Sequence, residues 1–205
     1  MQPVASSPPQ VFIAHSKDDK EGELFFTKLL GAAGLKQYWY PYTEGVLPPH
    51  APGIRKAIDA SAAVFVLLSK GMEQGHTRPW IGFEVGVGFA LKRPVWVFEP
   101  VGESIAVPVP FATGYVQRVE ALTTARTFPY TDVVQSVLTG EIVVDPNSTV
   151  LFLAKCMEAD CSATFLAHVL NPTTARCPVC RRPGTIGRLS QANGLLGVKL
   201  TEWTW

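Results

Sequence analysis

Short, continuously apolar runs alternate with stretches of helical periodicity through the first two thirds of the chain. Val11 to Ala14 is one such run, a short buried strand that ends at His15 and Ser16. Leu24, Phe25, Leu29 and Leu30 then recur at helical spacing, which predicts a helix capped by Ser16, with Asp18 and Asp19 in its first turn and Gly31 or Gly34 as its stop. Gln37 to Tyr40 has the aromatic character of a second strand, and Pro41 to Gly53 is rich enough in proline and glycine to predict a long loop. A short helix is expected over Ile54 to Ala60, a third strand over Ala63 to Leu68, and a helix over Trp80 to Leu91 that Arg93 and Pro94 end. Val95 to Phe98 completes a fourth strand, and Thr131 to Leu138 a closing helix.

Strands without period-2 alternation, separated by helices, predict a parallel sheet covered on both faces, that is, a flavodoxin-like, doubly wound α/β fold. In such folds the ligand crevice lies beyond the carboxyl ends of the strands, here His15 and Ser16, the segment after Tyr40, and Ser69 onward. Turn-forming Asp145 to Ser148 marks a boundary, so an α/β domain is expected over 9–144 and a small second unit over 150–205. The sequence shows no internal repeat.

Composition narrows the class. With 205 residues, 47% of them hydrophobic and 17% charged, the chain has the make-up of a globular protein and not of a disordered one. Residues 1–150 carry 12 Lys+Arg against 14 Asp+Glu and residues 151–205 carry 6 against 3, so a net −2 faces a net +3. That balance does not predict capture by nucleic acid or by a membrane surface. The N-terminal segment lacks the basic start and apolar core of a secretory signal, no apolar run reaches the length of a membrane helix, and a cytoplasmic location is expected.

Glu84 is the only ionisable residue between Arg78 and Lys92. A carboxylate inside such an apolar stretch is either paired or working, because an isolated buried charge is too costly to keep. At about 100° per residue, Trp80, Glu84 and Gly88 share one stripe of the helix, so the carboxylate stands between a large aromatic and a position with no side chain. Gly82, Gly86 and Gly88 each cost up to about 1 kcal/mol against alanine in a helix interior, which predicts close approach of another helix, the sheet or a ligand. Glu84 is then either a packing residue satisfied by backbone amides, Arg55 or Arg78, or the acid of a site.

Taken together, Phe12 to Lys20 opening the sheet, the Pro/Gly-rich loop after the second strand, Trp80-x-x-x-Glu84 and Lys92-Arg-Pro94-Val resemble a TIR domain, and more closely the bacterial TIR domains of the Thoeris antiphage type that consume NAD. The resemblance covers about residues 9 to 140, and Ala14 departs from the serine common at that position. It implies cleavage of the nicotinamide–ribose bond of NAD with Glu84 as the catalytic residue, and a pocket lined by Phe12, His15, Ser16, Trp39, Tyr40 and Trp80. It also implies a homo-oligomer on activation, a phage or effector protein as further partner, a role in antiphage immunity, and either ADP-ribose or a cyclic product. The competing expectation is a self-associating TIR scaffold without catalysis. A lone histidine at a strand end such as His15 is more often structural than a general base.

Cys156-x4-Cys161 and Cys177-x2-Cys180, fifteen residues apart, match the spacing of a zinc ribbon with four thiolate ligands. With every ligand supplied by protein, such a zinc is structural and holds together a unit too small to rely on its own core. Arg176, Arg181, Arg182 and Arg188 surround the cluster, and Trp203 and Trp205 end the chain as apolar side chains expected to dock on this chain or a partner.

Overall fold

The structure is a computed structural model that describes residues 8–16, 19–40, 51–73, 77–103, 105–119, 130–144, 151–189 and, as backbone, 196–199. The described chain runs β1 Gln10–Ala14, α1 Lys20–Ala32, β2 Lys36–Trp39, α2 Ala51–Asp59, β3 Ala63–Leu67, a 3-10 turn Lys70–Glu73, α3 Thr77–Ala90, β4 Val95–Pro100, β5 Gly114–Arg118 and α4 Thr131–Thr139. It continues with β6 Glu141–Val144, β7 Leu151–Cys156, β8 Thr164–His168, β9 Ile186–Arg188 and β10 Leu196–Lys199.

Eight strands form one sheet in the order β2-β1-β3-β4-β5-β8-β7-β9, while β10 and β6 pair as a separate ribbon. From β2 to β8 every pairing is parallel, and β7 then runs antiparallel to both β8 and β9. Period-2 alternation sorts the buried side chains onto two faces. Phe12, Ala14, Val64 and Val66 pack with Ile54, Ile58, Ile81 and Val85 of α2 and α3. Val11, Ile13, Phe65 and Leu67 pack with Phe25, Phe26 and Leu29 of α1 and with Val133 and Val137 of α4. The predicted doubly wound α/β fold is what forms, with its switch point between β1 and β3.

Several boundaries differ from the sequence expectation. The cap of α1 is Asp19, not Ser16: the Asp19 side chain accepts the Gly22 N–H at 2.8 Å, whereas buried Ser16 offers its carbonyl to the Asp19 N–H at 3.2 Å. Helix α2 begins at Ala51, inside the stretch expected to be loop, because Pro52 and Gly53 fit a first turn whose N–H groups need no intrahelical partner. Helix α3 begins three residues before Trp80. Of its glycines only Gly88 meets the sheet, where an added Cβ would lie 2.9 Å from Val64 Cγ2; around Gly82 and Gly86 such an atom would meet nothing within 4 Å. Strand β5 has no counterpart among the predicted elements.

Residues 151–188 join the large sheet through β8, whose Leu166 and Ala167 pair with Gly114 and Tyr115 of β5. The turn at 145–148, the loop over 41–50 and the terminal tryptophans lie outside the described residues. Among the described residues no helix is long and apolar enough to cross a membrane.

Candidate functional site

Gly88 facing Val64 at the start of β3 orients α3, so each step of four residues back along the helix moves about 6 Å toward the carboxyl ends of the strands. Glu84 is one such step and Trp80 two. Glu84 is 0% exposed, and Trp80 is half-buried against the same apolar cluster. Phe12 lies in that cluster, and Tyr40, just past the end of β2, packs on it with its hydroxyl close to Gly53 of α2. Ser16 stands at the same edge, where a Cβ at Gly71 would come within 2.8 Å of its hydroxyl. The structure therefore places Ser16, Tyr40, Trp80 and Glu84 on the α2/α3 side toward the carboxyl ends of β1, β2 and β3, while Phe12, paired with Val64, lies on the same side but deeper, level with Gly88.

His15 and Trp39 fall on the opposite side. Their rings meet edge to face at 4.5 Å, Trp39 packs against the α1/α4 cluster, and His15 Nδ1 lies 3.0 Å from the Ser16 carbonyl. Burial lowers the His15 pKa, with the Ser16 carbonyl opposing, so the imidazole is held neutral. Both placements follow from alternation: His15 is two residues past Ile13, and Trp39 is one residue from Tyr38 and Tyr40, which face the other way.

An open groove of ≈ 530 Å³ runs between α2 and α3, lined by Ala51, Pro52, Arg55, Lys56, Asp59, Phe83 and Val87. None of the predicted site residues lines it. Arg55 and Arg78, the cations first considered for Glu84, are exposed.

The sequence reading missed two buried ion pairs. Arg118 at the end of β5 reaches Asp19 at 3.3 Å, with 3% and 9% of the two side chains exposed, and so clasps β5 to the start of α1. Glu99 at the end of β4 pairs with Arg181, which directly follows the last cysteine, and its other oxygen accepts the Tyr115 hydroxyl at 2.7 Å. Burial pushes the Glu99 carboxyl up, while the Arg181 guanidinium and the Tyr115 hydroxyl pull it back. Partners 82 residues apart leave no local signal in the sequence.

Cys156, Cys161, Cys177 and Cys180 converge, with their sulfurs all within 4.8 Å of one another and none in a disulfide. Cys156 and Cys180 sulfurs are 3.6 Å apart and those of Cys161 and Cys177 3.8 Å. A tetrahedron with Zn–S bonds of about 2.3 Å has edges of about 3.8 Å, which these two separations match, so the four thiols are suited to hold a tetrahedral ion. The two knuckles are joined on the outside by Arg182, which contacts Glu158 and lies 2.9 Å from Asp160. Arg188 lies over the Phe152 ring at 4.7 Å and Arg176 donates to the Arg181 carbonyl at 3.1 Å, so all four arginines are engaged within the chain.

No protein-family model and no curated protein matches this sequence. Among solved structures, the chain is similar to the TIR domains in the structure of the activated Roq1 resistosome directly recognizing the pathogen effector XopQ, at 16% identity and a TM-score of 0.36, over 47% of this chain and 60% of that one. At that identity and score the likeness assigns neither family nor activity.

Proposed function

We propose that this chain is a TIR-type enzyme that cleaves the nicotinamide–ribose bond of NAD, with Glu84 as the catalytic carboxylate and a structural zinc at the four thiols. The observation that carries this reading is a completely buried carboxylate in the apolar part of α3, on the side of the sheet and toward the strand ends where Ser16, Tyr40 and Trp80 also lie. When the C1′–N bond of NAD breaks, its electron pair leaves with nicotinamide and C1′ gains cationic character. An anionic Glu84 stabilises that charge and accepts hydrogen bonds from the ribose hydroxyls. Water then adds at C1′ and releases a proton, giving ADP-ribose; an adenine nitrogen adding instead gives a cyclic product. Phe12 and Trp80 supply apolar and aromatic walls that exclude water, and Ser16 supplies a hydroxyl at the rim. Because Glu84 is enclosed, substrate enters from the end of the helix where Trp80 and Tyr40 are only half-buried. Self-association through the α/β unit, a phage or effector protein partner, a cytoplasmic location and a role in antiphage immunity belong to the same reading.

The enclosure of Glu84 favours a second reading, in which the carboxylate is a packing residue and the α/β unit is a self-associating scaffold. Incubation of the purified protein with NAD, with and without a crowding agent to drive assembly, separates the two. Release of nicotinamide by the native chain, lost in Glu84→Gln at unchanged melting temperature, supports the enzyme; no release under either condition supports the scaffold.

A further inference from the structure

The cysteine cluster and the carboxyl edge of the sheet are joined by an uninterrupted set of buried contacts. Arg181 follows Cys180 with a left-handed backbone (φ 63°), and its N–H closes the knuckle on the Cys177 carbonyl at 2.9 Å. That turn sends its side chain inward, where Nε donates to the Ile105 carbonyl at 2.9 Å and Nη2 to Glu99. Pro178, inside the knuckle, accepts the Val109 N–H at 2.8 Å. One knuckle thus holds Glu99 at the end of β4, Tyr115 on β5 and two points of the connection between them. Glu99 is 1% exposed and Arg181 7%, so neither has solvent to fall back on if the other moves.

We propose that the Arg181–Glu99–Tyr115 contact couples metal occupancy to the order of the β4–β5 edge, making Glu99 and Arg181 positioning residues of the metal site. The inference rests on the metal reading of the four thiols. Metal binding fixes the knuckle, the knuckle places the guanidinium, and the guanidinium neutralises the buried carboxylate. By reciprocity, weakening the contact at Glu99 weakens metal binding by the same factor, although Glu99 touches no ligand atom. Loss of the metal in turn releases Arg181 and leaves Glu99 buried without its cation, which loosens the strand ends on the same face of the sheet as Glu84.

The test uses the full chain and Zn²⁺. Zinc stoichiometry is measured first, and then affinity by competition with a chromophoric chelator, for the native protein, Glu99→Gln and Arg182→Ala. Glu99→Gln is expected to weaken Zn²⁺ binding by about tenfold or more, in the range seen when residues behind metal ligands are changed. Arg182→Ala, which removes only the exposed pair with Glu158 and Asp160, changes it by less than about threefold. Hydrogen exchange over residues 95–118 rises in the native chain when zinc is stripped. If Glu99→Gln does not fold, Arg181→Met breaks the same contact from the knuckle side and is measured in the same way. One zinc per chain with unaltered affinity in these variants overturns the coupling alone, whereas absence of zinc from the native protein overturns the metal reading beneath it.

Discussion

The two ends of the large sheet hold their polar groups in opposite ways. At the β8-β7-β9 end, four thiols from residues 156 to 180 close to within 4.8 Å of one another, and the charges of Arg182, Glu158 and Asp160 beside them are paired. At the β2-β1-β3 end, a single carboxylate at residue 84 is buried on the side of the sheet where β1, β3, α2 and α3 form one apolar cluster. The first arrangement draws its four sulfurs from one short stretch of sequence and is tied to the rest of the sheet through Arg181 and Glu99; the second exists only once the sheet has formed. Under the metal and enzymatic readings, changes at the first end act on the fold, and changes at the second act on chemistry that the fold can survive without.

Cys177→Ser breaks the first arrangement outright. A four-ligand structural zinc contributes an apparent ~10–16 kcal/mol in small zinc-dependent units, comparable to the ~5–15 kcal/mol of a whole domain. Loss of one buried thiolate is expected to abolish stoichiometric zinc and to melt β7 and β9, with β8 following because it bridges them to β5. Metal analysis together with thermal melting checks this. A variant that keeps its melting temperature without zinc would show that the edge stands on packing alone, and the contrast between the two ends would vanish.

Asp19→Ala is next in size and probes the crest of the sheet between the ends. The substitution removes the α1 cap, about 1 kcal/mol, and leaves the buried Arg118 without its carboxylate, about 3–5 kcal/mol. Urea unfolding is expected to show a loss of roughly 4 kcal/mol, and Asp19→Asn, which keeps a capping oxygen, a smaller one. This clasp also marks where sequence reading stops. Local patterns reveal β1 to β4, the helices and the four clustered cysteines, because apolar period and cysteine spacing are properties of neighbouring residues. They assign the cap to Ser16 because serine, like aspartate, can cap; the helix begins at Lys20, so Asp19 takes that place through one oxygen while its other meets the distant Arg118. Strand β5 escapes because Gly114 to Arg118 contains only two strongly apolar side chains, Tyr115 and Val116, yet all five residues are buried by their neighbours β4 and β8.

Glu84→Gln changes one atom at the other end. Under the enzymatic reading it lowers nicotinamide release by about 10²–10³-fold, the cost of removing one preorganised charge from a developing cation. The amide fills the same volume, so the melting temperature stays within a few degrees of the native value. Loss of several kcal/mol of stability in this variant would make the carboxylate a structural group like Glu99, and the two ends of the sheet would then differ only in geometry.

The smallest effect is a matter of pH and tests whether the sheet really divides the site. Burial lowers the folded-state pKa of His15 below the ordinary imidazole value of about 6.5, while the unfolded chain titrates near that value. Below pH ~6.5 the unfolded state therefore binds more protons than the folded one, so stability falls as the pH drops from that point toward the lowered folded pKa, and is regained above it. Melting temperatures measured from pH 7.5 down to 5.5 should decline more steeply for the native chain than for His15→Gln. Because His15 packs edge to face on Trp39, on the α1/α4 side, the same variant should keep its nicotinamide release and the pH profile of that rate. A loss of release as deep as that of Glu84→Gln would place the imidazole beside the carboxylate in the working conformation, and the two faces would then have to exchange partners before chemistry.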